Sequence, residues 1–541
     1  MPGLSLFDIF QNIAKEYFSK TALIFLGKHY SYLQLSQLST SLAKALYHSG
    51  IRKSDKVMIY LPHIPQWLII WLALQRIGAV AVPFTTFYGP NEIKYIANDT
   101  GARMIFCIDT NVNFVIQALE ETSVEKIIVC NITDLLPFWK KIIGKIYDRI
   151  PEGKYKTGDN VISFKGFMKN GASELPAIEI SEKEYAQILY TGGTTGEPKG
   201  VPISHAVLRE SFKEIRETCE HLIPRGEDIV IQGAPLFHIL GQVVGIGALF
   251  SGDTLVLLPR YNFDAVLDHI HRYKVKTLFG TPTAFRMILD HPRFEYYNLG
   301  SLQYCPAGGD ALPEETGKRW LDKVGVPICV GYGITEVGGA VSLTPPGQSF
   351  PEGTCGKPLG SKKLRFIDPE MQDLTPSREH GELLVSSANM IEGYWNKPEE
   401  SALHFINLDN RLWYRTGDVV HIDEEGWLYF IDRNVDLIKH KGYRVSASRV
   451  EKVLQAHYAV VACCVVGVPD EKVGERVKAY VTARSDIKGV SGGELIQWCR
   501  KNLTAYEVPH YIEFRDVLPK SKVGKLLKRE LRDDERRRME T

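Results

Sequence analysis

Apolar and polar positions follow two alternating rhythms along most of the chain. Short runs rich in aliphatic and β-branched residues recur at 56–61, 79–84, 104–108, 126–130, 228–232, 254–258 and 276–279. Segments of helical periodicity separate them, which predicts parallel sheets covered by helices. The most apolar stretch, 67–84, is interrupted by Gln75, Arg76 and Gly78. It predicts a buried helix followed by a strand, not a membrane span. Beyond about residue 351 turn residues come more often and apolar runs shorten, as at 381–385 and 427–431. That texture predicts a more antiparallel, barrel-like segment. A helix is expected from near Ser446, with Val450, Val453 and Leu454 at helical spacing. It opens a compact final unit ending in a charged tail, 533–538, read as solvated.

Composition narrows the class. The length of 541 residues suffices for several domains with ample core. A hydrophobic fraction of 44% and a charged fraction of 24% are those of a soluble globular protein. Lys+Arg 65 against Asp+Glu 64 gives no basic excess, which argues against a nucleic-acid partner. Nine cysteines lie scattered without a C-x-x-C, and Cys463 and Cys464 are adjacent, so a zinc knuckle is not expected. A reduced, cytoplasmic setting fits best. The first 15 residues lack the basic-then-apolar pattern of a secretion signal.

The densest chemistry lies in Tyr190-Thr191-Gly192-Gly193-Thr194-Thr195-Gly196-Glu197-Pro198-Lys199-Gly200. An apolar run precedes it, so it reads as a strand, a glycine-rich loop, then a strand or helix start. Glycines let backbone N–H groups approach an anion, threonines add hydroxyl donors, and Lys199 adds a charge that is costly to bury alone. These features suit a polyphosphate. Pro198 before the lysine excludes a Walker A loop. Glycines alone would suit an ordinary Gly/Thr loop, but ten residues of this composition argue against it.

This stretch resembles the phosphate loop of the adenylate-forming superfamily, which contains acyl-CoA synthetases, luciferase-like enzymes and peptide-synthetase adenylation domains. Gly192 stands where that family usually has serine. Six further segments match in family order. In Gly331-Tyr332-Gly333-Ile334-Thr335-Glu336, the resemblance puts Tyr332 on adenine, Thr335 on the α-phosphate and Glu336 on Mg²⁺. By the same resemblance, the segment Gly308-Gly309-Asp310 would line adenine and the acyl group through its main chain. His238 and Ile239 would orient the acyl substrate, with Gly308 and Gly333 beside it. Asp418, after Arg415-Thr416-Gly417, would accept from the ribose hydroxyls, and Arg433 would contact ribose. Lys439, Gly442 and Arg444 would serve CoA and the thioester step. Lys525, ending Pro519-Lys520-Ser521-Lys522-Val523-Gly524-Lys525, would reach the site during adenylation. The catalytic set so implied is Lys199, Glu336 and Lys525. The nucleotide set is Thr191, Gly192, Gly193, Thr194, Thr195, Gly196, Lys199, Gly309, Asp310, Gly331, Tyr332, Gly333, Thr335, Asp418 and Arg433.

The resemblance implies an α/β fold. A large N-terminal domain (1–432) would hold two doubly wound sheets and a small β-barrel. A hinge (433–436) would join it to a small mobile α+β C-terminal domain (437–541). Asp432 and Val435 depart from the family's usual glycine and its Asp or Lys hinge residue. The implied function is an AMP-forming ligase that joins a fatty acid to CoA using ATP and Mg²⁺. Transfer to a carrier protein, an aryl acid of the 4-coumarate kind, a non-catalytic acyl or nucleotide sensor, and a homodimer stay open. The segment 135–150 mixes aromatics with Lys140, Lys141, Lys145 and Arg149. It resembles an insertion of long-chain acyl-CoA ligases and implies weak peripheral membrane contact. A surface helix packed on the protein is the plainer reading. The small residues Gly241, Gly245 and Gly247 after His238 are expected to leave room for an acyl chain.

Overall fold

The computed structural model describes all residues except 1–3, 141–150, 170–173, 192–196, 369, 376–379, 442, 471, 485–488, 521–525 and 541. The chain forms two compact units. One comprises Met1–Lys363 and Ser386–Tyr414, the other Leu364–Val385 and Arg415–Thr541.

The first unit is built on mainly parallel sheets, as the apolar runs predict. A seven-stranded sheet runs Val161–Ser163, Lys126–Cys130, Met104–Ile108, Lys56–Tyr60, Val80–Pro83, Tyr185–Thr191, Lys199–Ser204. Only the last pairing is antiparallel. A five-stranded sheet runs Thr277–Leu278, Ile229–Ile231, Thr254–Leu257, Thr21–Phe25, Lys28–Ser31. Parallel bridges, Thr277 to Tyr304 and Gly280 to Ala307, lead from its edge to a four-stranded sheet that begins with Cys305–Gly308 and Ile328–Ile334.

The apolar stretch resolves as the helix Pro65–Ile77 and the strand Val80–Pro83. Proline in the first turn starts the helix and Gly78, at φ 67°, ends it in the left-handed conformation. Every helical residue except Arg76 is buried, as a helix apolar all round must be. Burial of Trp67 and Trp71 stabilises the unit by roughly 2–3 kcal/mol each. Gln75 Nε2 and the Trp71 indole N–H donate to Ala186 O and Gln187 Oε1 of the strand that leads into the glycine-rich loop. Among the described residues no helix is long and apolar enough to cross a membrane.

The second unit is α+β. Tyr443–Ser446, Leu437–His440, Gly474–Ala483 and Val460–Asp470 form an antiparallel sheet, and Tyr511–Phe514 pairs in parallel with Gly474–Ala483. The expected helix is Ala447–Gln455, capped by Ser446, which accepts from Arg449 N–H. The charged tail is exposed at Arg536, Arg537 and Arg538 as expected and departs from expectation at Glu535. The helix Lys528–Glu540 buries Leu531 and Glu535, and Glu535 accepts from Lys478 and the Tyr480 hydroxyl at 2.8 and 2.6 Å. Its arginine-rich outer face hides a docked inner one.

Candidate active site

The limbs of the glycine-rich loop form a hairpin, with Tyr190 opposite Gly200 and Thr191 opposite Lys199. Gly192, Gly193, Thr194, Thr195 and Gly196 lie outside the described residues. Both limbs are anchored. Tyr190 donates to Asp99 Oδ2 at 2.5 Å; burial, and then that bond, push its phenol pKa upward. The Trp395 N–H donates to Gly200 O at 2.8 Å. A side chain on Gly200 would sit 2.9 Å from Trp395 Cβ, so this glycine is demanded by close approach. Tyr95 donates to Pro198 O at 3.2 Å. The Lys199 side chain is largely shielded from water, paired with Glu400, and its Nζ lies 5.0 Å from the Tyr394 ring centroid.

A second hairpin carries Glu336. Strands Cys305–Gly308 and Ile328–Ile334 run parallel, with Gly308 beside Gly331. The chain then folds back through the short turn Thr335–Val337 into Gly339–Leu343, with Ile334 opposite Gly339. Gly338 turns the corner at φ 87°, with Val207 and Ser211 where a side chain would go. Thr335 and Glu336 are buried. Tyr394 donates its hydroxyl to Glu336 Oε1 at 2.9 Å and stands 3.0 Å from the Tyr414 hydroxyl. Burial first, and the Glu336 carboxylate second, raise the pKa of both phenols, so they remain donors at any physiological pH. Tyr394 therefore touches Lys199 with its ring and Glu336 with its hydroxyl. Gly309 and Asp310 follow the Gly308 strand end, where Asp310 is exposed and accepts from Ala311 N–H at 2.8 Å.

His238 sits on an exposed turn and accepts from Leu240 N–H at 3.3 Å, while Ile239 is buried. A π-helix, Gly241–Ile246, follows. Ile239 and Val243 pack 3.4 and 3.3 Å from where Gly339 would carry a Cβ, and Leu240 3.9 Å from the corresponding point at Gly308. The candidate acyl segment and the glycine edge of the Glu336 hairpin are therefore neighbours. The three glycines after His238 do not provide the expected room. A Cβ at Gly241 would meet Pro235 O at 2.1 Å, one at Gly245 the Gln232 amide at 2.0 Å, and one at Gly247 the Phe212 ring at 3.4 Å. Protein already fills the space that reads as empty from side-chain size alone.

In the second unit, Asp418 and Arg433 face each other across an antiparallel pair, with Arg433 Nε 3.5 Å from Asp418 Oδ1. Thr416 Oγ1 accepts from Asp418 N–H and donates to Leu383 O. Lys439 and Arg444 are exposed and opposite one another on the hairpin of Leu437–His440 and Tyr443–Ser446. Gly442 and Lys525 lie outside the described residues.

The first unit thus brings together Thr191, Lys199, the 308–310 and 331–336 segments, His238 and Ile239. The second brings together Asp418 and Arg433. Sequence reasoning missed Tyr394 and Glu400, and gave Tyr414, at the head of the Asp418 motif, no role of its own. The run Gly393-Tyr394-Trp395-Asn396-Lys397-Pro398 signals only a turn and a helix start; nothing in it names its partners. Among the described residues no group of three or more His, Cys, Asp or Glu could hold a metal. One buried carboxylate fits an ion that keeps most of its ligands as phosphate and water, as Mg²⁺ does, and not a dedicated protein cage.

A family model described as AMP-binding enzyme matches residues 10–395, and one described as AMP-binding enzyme C-terminal domain matches residues 449–525. A long-chain-fatty-acid–CoA ligase of Bacillus subtilis (strain 168) is 31% identical over 540 residues, which cover 99% of this chain and 95% of the relative. Among solved structures, an anthranilate CoA ligase in complex with anthranoyl-AMP is 25% identical with a TM-score of 0.87, covering 100% of this chain and 99% of that one. The o-succinylbenzoate CoA synthetase of Bacillus subtilis, in complex with ATP and magnesium ion, is 26% identical with a TM-score of 0.80, covering 97% and 98%.

Proposed function

Because the chain belongs to the AMP-binding enzyme family, we propose that it is an AMP-forming acid–CoA ligase whose acid is a fatty acid. The observation that carries the ligase reading is the meeting of Lys199 and Glu336 on the ring and the hydroxyl of Tyr394, beside the limbs of the phosphate-loop hairpin. The likeness to long-chain-fatty-acid–CoA ligases supports the fatty acid. The likeness to an anthranilate ligase keeps an aryl acid as the second reading.

The chemistry follows from charge. A substrate carboxylate must attack an α-phosphate that is already anionic. Its oxygen bonds to phosphorus, the bond to the β-phosphate breaks, and pyrophosphate leaves. Lys199, Lys525 and the loop's N–H and hydroxyl donors oppose the charge that moves onto pyrophosphate. Glu336 would hold Mg²⁺, which when bound screens the phosphates. Asp418 and Arg433 would fix the ribose, and Tyr332 the adenine. In the second step the CoA sulfur attacks the acyl carbon, AMP departs with the electron pair of the broken C–O bond, and the thiol proton goes to solvent. Lys439, Gly442 and Arg444 serve this step and Lys525 the first, an exchange that a pivot at 433–436 would permit. Val435 there is exposed.

Peripheral membrane contact is part of the reading. Phe138 and Trp139 are 76% and 57% exposed beside Lys140, the pairing of aromatic and basic residues that suits a lipid interface. AMP formation across a panel of acetate, octanoate, palmitate, benzoate and cinnamate tests the substrate. Palmitate or octanoate should turn over fastest. Fastest turnover of an aryl acid would select the second reading, and of acetate would exclude both.

A further inference from the structure

Lys199 is only 12% exposed, and a lysine held so far from water is costly without a counter-charge. Glu400 supplies it through an ion pair. Two residues upstream, Glu197 lies 3.6 Å from Lys397. The downstream limb of the phosphate loop and the start of the helix Pro398–His404 therefore carry matched charges, Glu197 to Lys397 and Lys199 to Glu400. The Trp395 N–H bond to Gly200 O fixes their register. Glu400 occupies the first turn of that helix, where the unpaired N–H groups favour a negative charge.

We propose that Glu400 is an internal counter-ion that stands in for a nucleotide's phosphates on Lys199, and that the nucleotide displaces it. The inference rests on the ligase reading and adds a residue that sets affinity for ATP. A polyphosphate reaching Lys199 brings several negative charges to an ammonium that already holds a carboxylate. Two anions on one ammonium repel across a few ångströms of partly dry protein. Glu400 is the group free to leave. Its side chain is 34% exposed, so water can take over its solvation, whereas the bound phosphates are held by the loop. The cost of breaking the pair opposes nucleotide binding, while the intact pair keeps Lys199 neutralised in the empty enzyme.

Calorimetric binding of ATP and of adenosine to the full chain, with and without Glu400→Gln, tests this. ATP should bind the variant roughly twofold to fivefold more tightly, the size of a partly exposed ion pair. Adenosine, which has no phosphate, should bind both proteins equally. Unchanged or weaker ATP binding by the variant overturns the proposal. So does an equal shift for ATP and adenosine, which marks a change of packing. If Glu400→Gln does not fold, Glu400→Asp, which lengthens the pair by one methylene, is read the same way with a smaller gain. Failure of the wild-type chain to bind ATP would sink the ligase reading and this inference together. Normal ATP binding and AMP formation with no effect at Glu400 would sink the inference alone.

Discussion

Replacing Tyr394 with phenylalanine removes one oxygen from the middle of the candidate site. That oxygen donates to Glu336 at 2.9 Å in a buried setting. Hydrogen bonds to charged groups contribute about 1.5–3 kcal/mol, and each ~1.4 kcal/mol is tenfold in rate. Complete loss of this bond in the transition state therefore predicts a fall of about tenfold to 150-fold in acyl-adenylate formation. The Tyr414 hydroxyl, 3.0 Å from the one removed, remains to donate in its place, so Tyr394→Phe alone should fall at the low end, about tenfold. Tyr394→Phe with Tyr414→Phe should approach the high end. The assay is acid-dependent exchange of pyrophosphate into ATP, with Mg²⁺ varied. Half-saturating Mg²⁺ should rise in the double variant, while the KM for the acid stays within about twofold. The aromatic ring beneath Lys199 is kept in every variant, and thermal melting checks folding. Exchange within twofold of wild type in the well-folded double variant would refute the view that these phenols hold the Glu336 carboxylate for its task.

Three further outcomes are expected. Lys525→Ala should lose pyrophosphate release by roughly a hundredfold or more yet still pass the acyl group from synthetic acyl-adenylate to CoA; Gly442→Leu should do the reverse, and equal damage to both steps by either change would end the two-step assignment. His205 is buried, accepts from Leu6 N–H at 3.4 Å and has its pKa lowered from 6.5 to about 4, chiefly by burial. Its neutral form therefore favours the fold fully above pH 6.5, and this contribution is lost as pH falls through 6.5 toward 4, reaching ~3 kcal/mol; chemical denaturation at a series of pH values should show His205→Gln less stable at pH 7 but with a flatter acid slope, and an unchanged slope counts against it. Replacing Phe138 and Trp139 with serine should weaken co-sedimentation with anionic vesicles, as should added salt; equal sedimentation of both proteins would remove the membrane contact.

Much of this architecture is legible along the chain, for a physical reason. Strands buried on both faces read as unbroken apolar runs, and 104–108 and 126–130 match their strands residue for residue. Strands near turns are shorter than their apolar runs, as at Val80–Pro83 within 79–84, because ladder bonds end before apolar burial does. The limbs of the phosphate loop and Glu336 were visible because their chemistry is local. The partners of Glu336 and Lys199 were not, since Tyr394 and Glu400 are ordinary residues brought in from far along the chain. Two misreadings share one cause. The glycines of 241–247 suggested empty volume, and the tail 533–538 suggested solvation at Glu535 as at its exposed arginines, because composition reports what a residue carries and not what lies opposite it. Gln232 and Phe212 fill the first; Lys478 and Tyr480 meet the second.

The helix Pro65–Ile77, sealed on every side, also bears on how the chain is made. Gln75 and Trp71 find their partners 111 and 116 residues further on. At about 5–20 residues per second, a ribosome takes roughly ten seconds to deliver that cover. For that interval an oily segment with two tryptophans waits outside the exit tunnel. Holdase chaperones should engage nascent chains arrested before residue 186 and release those extended past the glycine-rich loop.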